Sequence, residues 1–289
     1  MKVLITGANG QVGKELIKTA PSGIELTAVT REQLDICNAP EVRAFIADIQ
    51  PDVIINAAAY TAVDAAEEDE RAATAVNADA VAILAECAPE HCYLLHISTD
   101  FVFDGNTNKP YGTGDTPSPE SSYGRGKLLG EELLFSQKPR NSAVIRTSWV
   151  YSSHGKNFVN SMLRFMRERG ELNIVVDQVG TPTWAKGLAE VCWLACDQKA
   201  EGLFHWSDAG VASWYDFAET IQMLGIEHGL LAKPARLNAI PTEEYPLPAK
   251  RPAYSVFDKS ALLDAIPGLT NKHWLSQLKE MFKEFDVKS

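Results

Sequence analysis

The chain has 289 residues, 45% of them hydrophobic, enough to bury a substantial core in one large domain or two. Its net charge of −11 argues against nucleic acid or an anionic membrane as partner, since both demand a basic face. No apolar run reaches membrane-spanning length and no charged segment leads into an apolar leader, so the expected setting is cytoplasmic.

The first predicted strand, Val3–Thr6, runs directly into Gly7-Ala-Asn-Gly10-Gln-Val-Gly13 and then a predicted helix over Gln11–Lys18. Each glycine has its own physical use. Gly7 permits the tight turn, Gly10 lets bare backbone approach a diphosphate, and Gly13 lets the helix pack close to the sheet. The helix N-terminus then offers unpaired N–H groups and a positive dipole end to the anion. The usual fingerprint sets its first two glycines two apart, so this spacing is a variant, and a purely structural strand-to-helix turn is the plain alternative.

Further along, strand and helix signals alternate: Glu25–Val29 strand, Pro40–Ile49 helix, Val53–Asn56 strand, a helix within Asp64–Cys87, and Tyr93–Ser98 strand. Alternation of this kind, with short apolar strands lacking polar alternation, predicts an α/β fold whose parallel sheet is covered by helices on both faces. Asp100–Ser122 is rich in Gly, Pro, Thr, Asn and Ser and is too long for an ordinary connection, so it reads as a functional loop or a disordered one. A helix from Tyr123 to about Phe135 and a strand at Ala143–Thr147 follow. Past Trp149 the pattern loosens into Gly- and Pro-punctuated segments, which sets a domain boundary near residue 150, with later strands free to return to the first domain. The five cysteines form no C-x-x-C pair; Cys192 and Cys196 have buried-helix spacing and read as reduced core thiols.

Two places carry chemistry. At the end of the second strand, where an acid would hold the ribose 2′-OH of NAD, the chain has Val29-Thr30-Arg31; a guanidinium suits a 2′-phosphate, so NADPH is favoured over NADH, although Glu32 is adjacent. Tyr123 and Lys127 stand four apart at a helix start, and Ser98-Thr99 end the fourth strand, where ligands of open α/β sheets bind. An ammonium at ~4 Å with an effective dielectric of ~20 favours phenolate by roughly 4 kcal/mol, which would move the Tyr123 phenol from ~10 toward neutrality. Tyr123 then serves as a general acid for a carbonyl that accepts hydride, and Thr99, helped by Ser98, hydrogen-bonds the same oxygen. Taken alone, a Tyr and a Lys four apart are more simply an amphipathic tyrosine with a solvated lysine; the glycine turn and the hydroxyl-ended strand raise the pair above that.

With these residues in place, the sequence resembles the extended short-chain dehydrogenase/reductases, and among them the dTDP-4-dehydrorhamnose reductase family. The shared stretches are Thr6–Gly13, Asp35-Ile36, Asn56–Asp64, Asn77, Ser98–Gly105, Tyr123-x-x-x-Lys127, Arg146–Tyr151, Asn157-Phe158, Asp177–Thr183 and Arg251-Pro252, in order over most of the chain. The resemblance implies a Rossmann-like doubly wound sheet in residues 1–150 and a smaller C-terminal α/β substrate-binding domain in residues 151–289. It implies NAD(P)H-dependent reduction of the C4 ketone of dTDP-4-dehydro-L-rhamnose to dTDP-L-rhamnose. By the same similarity Thr99, Tyr123 and Lys127 are the catalytic trio, with Tyr123 and Lys127 also at the cofactor. Gly7, Asn9, Gly10, Gln11 and Val12 line its diphosphate, Asp35 and Ile36 its adenine, and Ala57, Ala58 and Ala59 its flank. Thr61, Val63 and Trp149 lie near the sugar, and Arg251, beside Lys250, suits the nucleotide diphosphate.

Plainer roles compete. Trp149 serves equally as core, Thr61 and Asp64 as helix caps, and Gln178, Pro182 and Thr183 as a junction turn. Some members of the family are thought to dimerise through glutamate-held metal. Glu15 is present here but Lys186 stands where another glutamate aligns, which argues against magnesium at a subunit interface while leaving room for a homodimer. No histidine spacing marks a catalytic metal. A nucleotide-sugar epimerase on the same fold and a non-catalytic sensor of the nicotinamide ratio are the two alternatives; the retained Tyr–Lys pair speaks against the second.

Overall fold

The computed structural model describes residues 1–286. In chain order the first half runs β1 (Lys2–Thr6), α1 (Gln11–Lys18), β2 (Glu25–Val29), α2 (Ala39–Ile49), β3 (Val53–Asn56), α3 (Ala65–Glu68), α4 (Glu70–Thr74), a π turn (Ala75–Asp79), α5 (Ala80–Cys87), β4 (Tyr93–Thr99), α6 (Ser122–Gln137) and β5 (Ser142–Thr147). The second half runs β6 (Val150–Tyr151), α7 (Phe158–Glu168), β7 (Glu171–Val175), β8 (Val179–Gly180), β9 (Thr183–Trp184), α8 (Ala185–Gln198), β10 (Gly202–His205), β11 (Ala212–Ser213), α9 (Trp214–Glu227), β12 (Arg236–Ile240), α10 (Ser260–Ala265) and α11 (Trp274–Asp286). Among the described residues no helix is long and apolar enough to cross a membrane.

Six strands form one all-parallel sheet in the order β10-β5-β4-β3-β1-β2. Alternate side chains of each strand enter opposite layers, as the two-residue period of a strand demands. Val3, Ile5, Val53, Ile55, Tyr93 and Leu95 meet Leu16 of α1 and Leu188 and Cys192 of α8. Leu4, Ile54, Leu94 and Val144 meet Val42 and Ile46 of α2, Val81 and Leu84 of α5 and Leu134 of α6. Both faces are therefore covered, which is why the strands are mostly apolar; His96 and Ser98 of β4 and Arg146 of β5 are among the buried exceptions.

The sixth strand, β10, and its helix α8 come from beyond residue 150. The remaining C-terminal segments build a second core from α7, α9 and α11 around the parallel pair β7–β12, centred on Phe217, Leu224, Leu278 and Phe282.

The single helix expected within Asp64–Cys87 is instead broken. Asp69 leaves helical geometry at φ −136° and caps the next turn, its Oδ1 accepting from Ala72 N at 3.0 Å, and a π turn follows at Ala75–Asp79. That π turn carries Asn77, whose amide accepts from Tyr60 N at 2.9 Å and donates to Tyr60 O at 3.1 Å. Asn77 thereby pins the turn after β3. The long Asp100–Ser122 connection is ordered against the C-terminal segment: Tyr111 pairs through its backbone with Val256 and Asp258, and its ring stacks on Phe103 at 4.1 Å. Ser121 then caps α6, accepting from Gly124 N at 3.1 Å, and so fixes where the helix bearing Tyr123 and Lys127 begins. The five cysteines are unpaired, and Cys92, Cys192 and Cys196 are buried; burial pushes the thiols of Cys92 and Cys192 up to about 12.

Candidate active site

A cleft of about 740 Å³ opens at the carboxyl ends of β1–β5. Its floor is the glycine turn. Gly7 sits at φ +74°, a backbone region that side chains other than glycine rarely adopt, and Gly10 N donates to Gly7 O at 2.9 Å. A Cβ on Gly13 would lie 2.2 Å from Gly7 O, so only glycine lets α1 start this close to the strand. Gly10 caps α1 without any side chain. The first helical amides are thus left for an anionic ligand, which is what a diphosphate requires.

Asn9, Gln11 and Val12 line this end of the cleft with Gly7 and Gly10; Arg31, Asp35 and Ile36 line it at the end of β2. Ala57, Ala58, Ala59, Thr61 and Val63 line it after β3, as do Ser98, Thr99, Tyr123, Lys127 and Trp149, with Val63 packed in the same cluster as Tyr123. Gly155, Lys156 and Asn157 also line it, a stretch that sequence reasoning did not place there, Asn157 having figured only among the residues of the family resemblance. Their loop is tied to the glycine turn, because Gln11 Oε1 accepts from Ser152 Oγ at 2.9 Å and from Asn157 Nδ2 at 2.8 Å.

Arg251 lies elsewhere. Its guanidinium grips Asp64 at 3.0 and 2.7 Å and donates to Ala249 O at 2.7 Å. Asp64 makes no side-chain cap to the helix it precedes; it also accepts from Ala249 N, and the Arg251 guanidinium holds its carboxyl below the usual range. The expected helix-capping use of Asp64 is therefore replaced by a clamp between the turn after β3 and the 249–251 segment. This pairing has no local signature in the sequence, because its partners lie 187 positions apart.

Ser98 is also redirected. Its hydroxyl donates to Glu131, which receives Arg146 through Nε at 3.0 Å and Nη2 at 2.6 Å. Both members of that ion pair are under 5% exposed. Ser98 lines the cleft, but its hydroxyl is committed behind it; Thr99 keeps the place expected of it, with Oγ1 donating to Asp100 Oδ1 at 3.1 Å.

Trp149 is neither plain core nor a free wall. It stands at φ +48°, a strained position for a bulky residue costing about 1–3 kcal/mol, and its ring stacks on Trp214 at 3.5 Å and 5°. Trp214 Nε1 in turn donates to Gln178 Oε1 at 3.1 Å. Gln178 is thus a support for the indole pair more than a junction turn.

The Tyr123–Lys127 pair differs most from expectation. Both side chains reach the same cleft, yet Lys127 Nζ is engaged with His96 Nε2 at 3.0 Å and Ile97 O at 2.7 Å. Burial drives the lysine down to about 7, opposed by the nearby Glu131 carboxylate. Tyr123 packs edge-on against Phe101 at 5.5 Å, and burial pushes its phenol up to about 12, partly offset by the Thr99 hydroxyl and reinforced by Asp100. The expected fall toward neutrality does not occur in this arrangement: desolvation outweighs a cation that is turned toward the sheet. Asp100, fully buried, is pushed up to about 6.

The metal suggestion can be tested on Glu15, which is completely buried with neither carboxylate oxygen hydrogen-bonded. Burial raises its pKa, and Lys18 Nζ stands 4.0 Å away. Lys186 is close enough to act on it, and among the described residues no group of three or more His, Cys, Asp or Glu is placed to hold an ion. Lys18 and Lys186 pull the Glu15 carboxyl down while Glu284 and Glu190 push it up, so two carboxylates as well as two ammonium groups surround it.

An open parallel sheet whose glycine turn and Thr–Tyr–Lys cluster share one cleft defines a Rossmann-type short-chain dehydrogenase/reductase. Residues 1–287 match the family described as the RmlD substrate binding domain, and the chain belongs to that family. It is 41% identical over 274 residues to a dTDP-4-dehydrorhamnose reductase of Burkholderia thailandensis, covering 91% of this chain and 92% of that protein. Among solved structures it is similar to a dTDP-4-dehydrorhamnose reductase of Clostridium acetobutylicum, with TM-score 0.93, 39% identity and coverage of 99% of this chain and 100% of that one. It is likewise similar to the Bacillus anthracis dTDP-4-dehydrorhamnose reductase in complex with NADP, with TM-score 0.92, 32% identity and coverage of 98% and 99%.

Proposed function

We infer that this chain is an NAD(P)H-dependent oxidoreductase that reduces the C4 ketone of dTDP-4-dehydro-L-rhamnose to dTDP-L-rhamnose. The observation that carries the reading is the meeting of Thr99, Tyr123 and Lys127 with the uncapped glycine turn in a single cleft, in a chain of this family. The glycine turn and the α1 N-terminus fit a dinucleotide diphosphate, with Asp35 and Ile36 toward the adenine and Ala57–Ala59 along its flank. Arg31 at the end of β2 suits a 2′-phosphate and favours NADPH over NADH. When bound, the reduced nicotinamide supplies hydride.

The rest is done by side chains of this chain. Tyr123 donates its phenolic proton to the ketone oxygen, and Thr99, on turning its one hydroxyl proton away from Asp100, hydrogen-bonds the same oxygen as charge develops on it. A phenol near 12 remains protonated at neutral pH, yet it is still a stronger acid than an alcohol, whose pKa is about that of water, roughly 16. Transfer to a forming alkoxide is therefore downhill, and the donor role survives the upward shift. Trp149, held flat by Trp214, gives the sugar an apolar wall, and Thr61 and Val63 line the same cleft. Arg251 reaches a nucleotide diphosphate only by giving up Asp64. A cytoplasmic homodimer is part of the same proposal.

Purified protein mixed with NADPH and dTDP-4-dehydrorhamnose should lose the near-ultraviolet absorbance of the reduced nicotinamide in step with formation of dTDP-rhamnose. An isomerised sugar with NADPH intact would move the assignment to an epimerase.

A further inference from the structure

A buried chain of polar groups runs from β1 to α6 and fixes which atoms carry protons. Asn56 Oδ1 accepts from the backbone N–H of Ala58 at 3.2 Å and from Thr6 Oγ1 at 2.6 Å. A backbone N–H only donates, so the carboxamide orientation is set and Nδ2 faces His96 Nδ1 at 3.0 Å as a donor. Nδ1 must then be the unprotonated ring nitrogen. His96 is fully buried, and burial keeps its pKa well below the ordinary value. The neutral ring therefore carries its one hydrogen on Nε2, the atom that meets Lys127 Nζ at 3.0 Å. An ammonium has three donors and no acceptor; a neutral amine has a lone pair. Only the amine satisfies this geometry, accepting from Nε2 and donating to Ile97 O at 2.7 Å.

We propose that His96 is a positioning residue that holds Lys127 as a neutral amine against the sheet, and that Lys127 gains its proton only on turning from His96 into the cleft toward an anionic nicotinamide cofactor. The proposal rests on the reading of the cleft as a dinucleotide site. The surroundings agree with it. Glu131, one turn further along α6, faces the lysine, but its carboxylate is committed to Arg146 of β5 and to Ser98. Asp100 accepts from Thr99, and Tyr123 on the preceding turn of α6 is uncharged. From α3 and α4, Glu67 and Glu70 bond Ser122 and Arg125 at the start of α6. β1 and β3 present only Thr6 and Asn56. The low lysine pKa, near 7, follows from the same burial. A cofactor diphosphate in the cleft favours the ammonium through Coulomb attraction. Turning Lys127 toward Tyr123 then supplies the cation that the phenol lacks in the observed arrangement. The proton comes from solvent, so cofactor binding and proton uptake are one event.

Titration calorimetry of NADPH binding at pH 8, in two buffers of very different protonation enthalpy, counts that proton. One pH unit above a pKa near 7 leaves ~0.9 of the lysine neutral, so wild type should take up close to one proton per cofactor. His96→Gln offers a carbonyl oxygen that accepts from an ammonium, and uptake should fall below that of wild type. Lys127→Met should abolish it. Equal uptake in wild type and His96→Gln, or none in wild type, overturns the proposal. A second measurement needs no variant at His96: carbon-13 NMR of lysine Cε, assigned by loss of one signal in Lys127→Met, should show Lys127 titrating near pH 7. Titration above pH 10 overturns the proposal. If NADPH fails to bind at all, the cofactor reading falls, while the Cε titration still decides the His96–Lys127 arrangement.

Discussion

Replacing Lys127 by Met should stabilise the folded protein at pH 6 while abolishing turnover. The lysine is 1% exposed and titrates near 7 in the fold against 10.5 in the open chain. Its folded pKa is depressed, so between pH 7 and 10.5 the unfolded chain holds a proton that the folded one lacks, and stability rises with pH across that window. The penalty is fully present below pH 7 and gone above 10.5. At about 1.36 kcal/mol per pKa unit it amounts to ~5 kcal/mol at pH 6 and ~1 kcal/mol at pH 9.5. Against this, Met leaves His96 Nε2–H and Ile97 O without partners, at a combined cost of about 2–3 kcal/mol. The net is a gain of about 2 kcal/mol at pH 6 and a loss of about 1 kcal/mol at pH 9.5. With an unfolding entropy near 0.6 kcal/mol/K for a chain of this size, Tm should rise by roughly 3 °C at the lower pH and fall by roughly 2 °C at the higher. Differential scanning fluorimetry of wild type and variant, without cofactor, at both pH values is the assay. A difference in Tm that does not change with pH would show that Lys127 carries an ordinary pKa, and the reasoning would be wrong.

Tyr123→Phe should lower turnover by about 10²-fold or more and leave NADPH affinity nearly unchanged, because it removes the proton donor and little else; steady-state rates with a parallel binding titration check it. Arg31→Ala should weaken NADPH much more than NADH, and equal weakening of both would discard the 2′-phosphate contact. Gly13→Ala places a Cβ 2.2 Å from Gly7 O, against backbone that cannot yield, so the start of α1 must shift and dinucleotide affinity should drop at least tenfold. A fluorescence titration with NADPH reads that directly.

Much of this protein was legible without coordinates because its signals are local. A β-strand covered on both faces is mostly apolar, so β1, β3 and the start of β4 stand out by composition, while the edge strand β2 is only partly buried. The glycine turn is legible because positive φ and a 2.2 Å approach admit no other residue, and the Tyr123–Lys127 pair because four residues make one helical turn. What local signals omit is direction and dielectric. The i, i+4 spacing puts Lys127 on the same face as Tyr123 but does not say that the amine continues past the phenol to His96, a residue 31 positions earlier on β4. Nor does it say that the phenol, once enclosed, would be governed by desolvation and move up instead of down.

The other departures share that origin. Ser98 is bound to Glu131 across 33 positions, Asp64 to Arg251 across 187, and β10 returns to pair with β5 after a second core has begun. The sequence by itself determined the alternating elements, the dinucleotide turn and the residues that meet in the cleft, because steric and periodic rules act within a few residues. Only the tertiary structure decided which of those residues carry a proton and which are already spoken for, because burial and hydrogen-bond partnership are set by chain segments that sequence distance keeps apart.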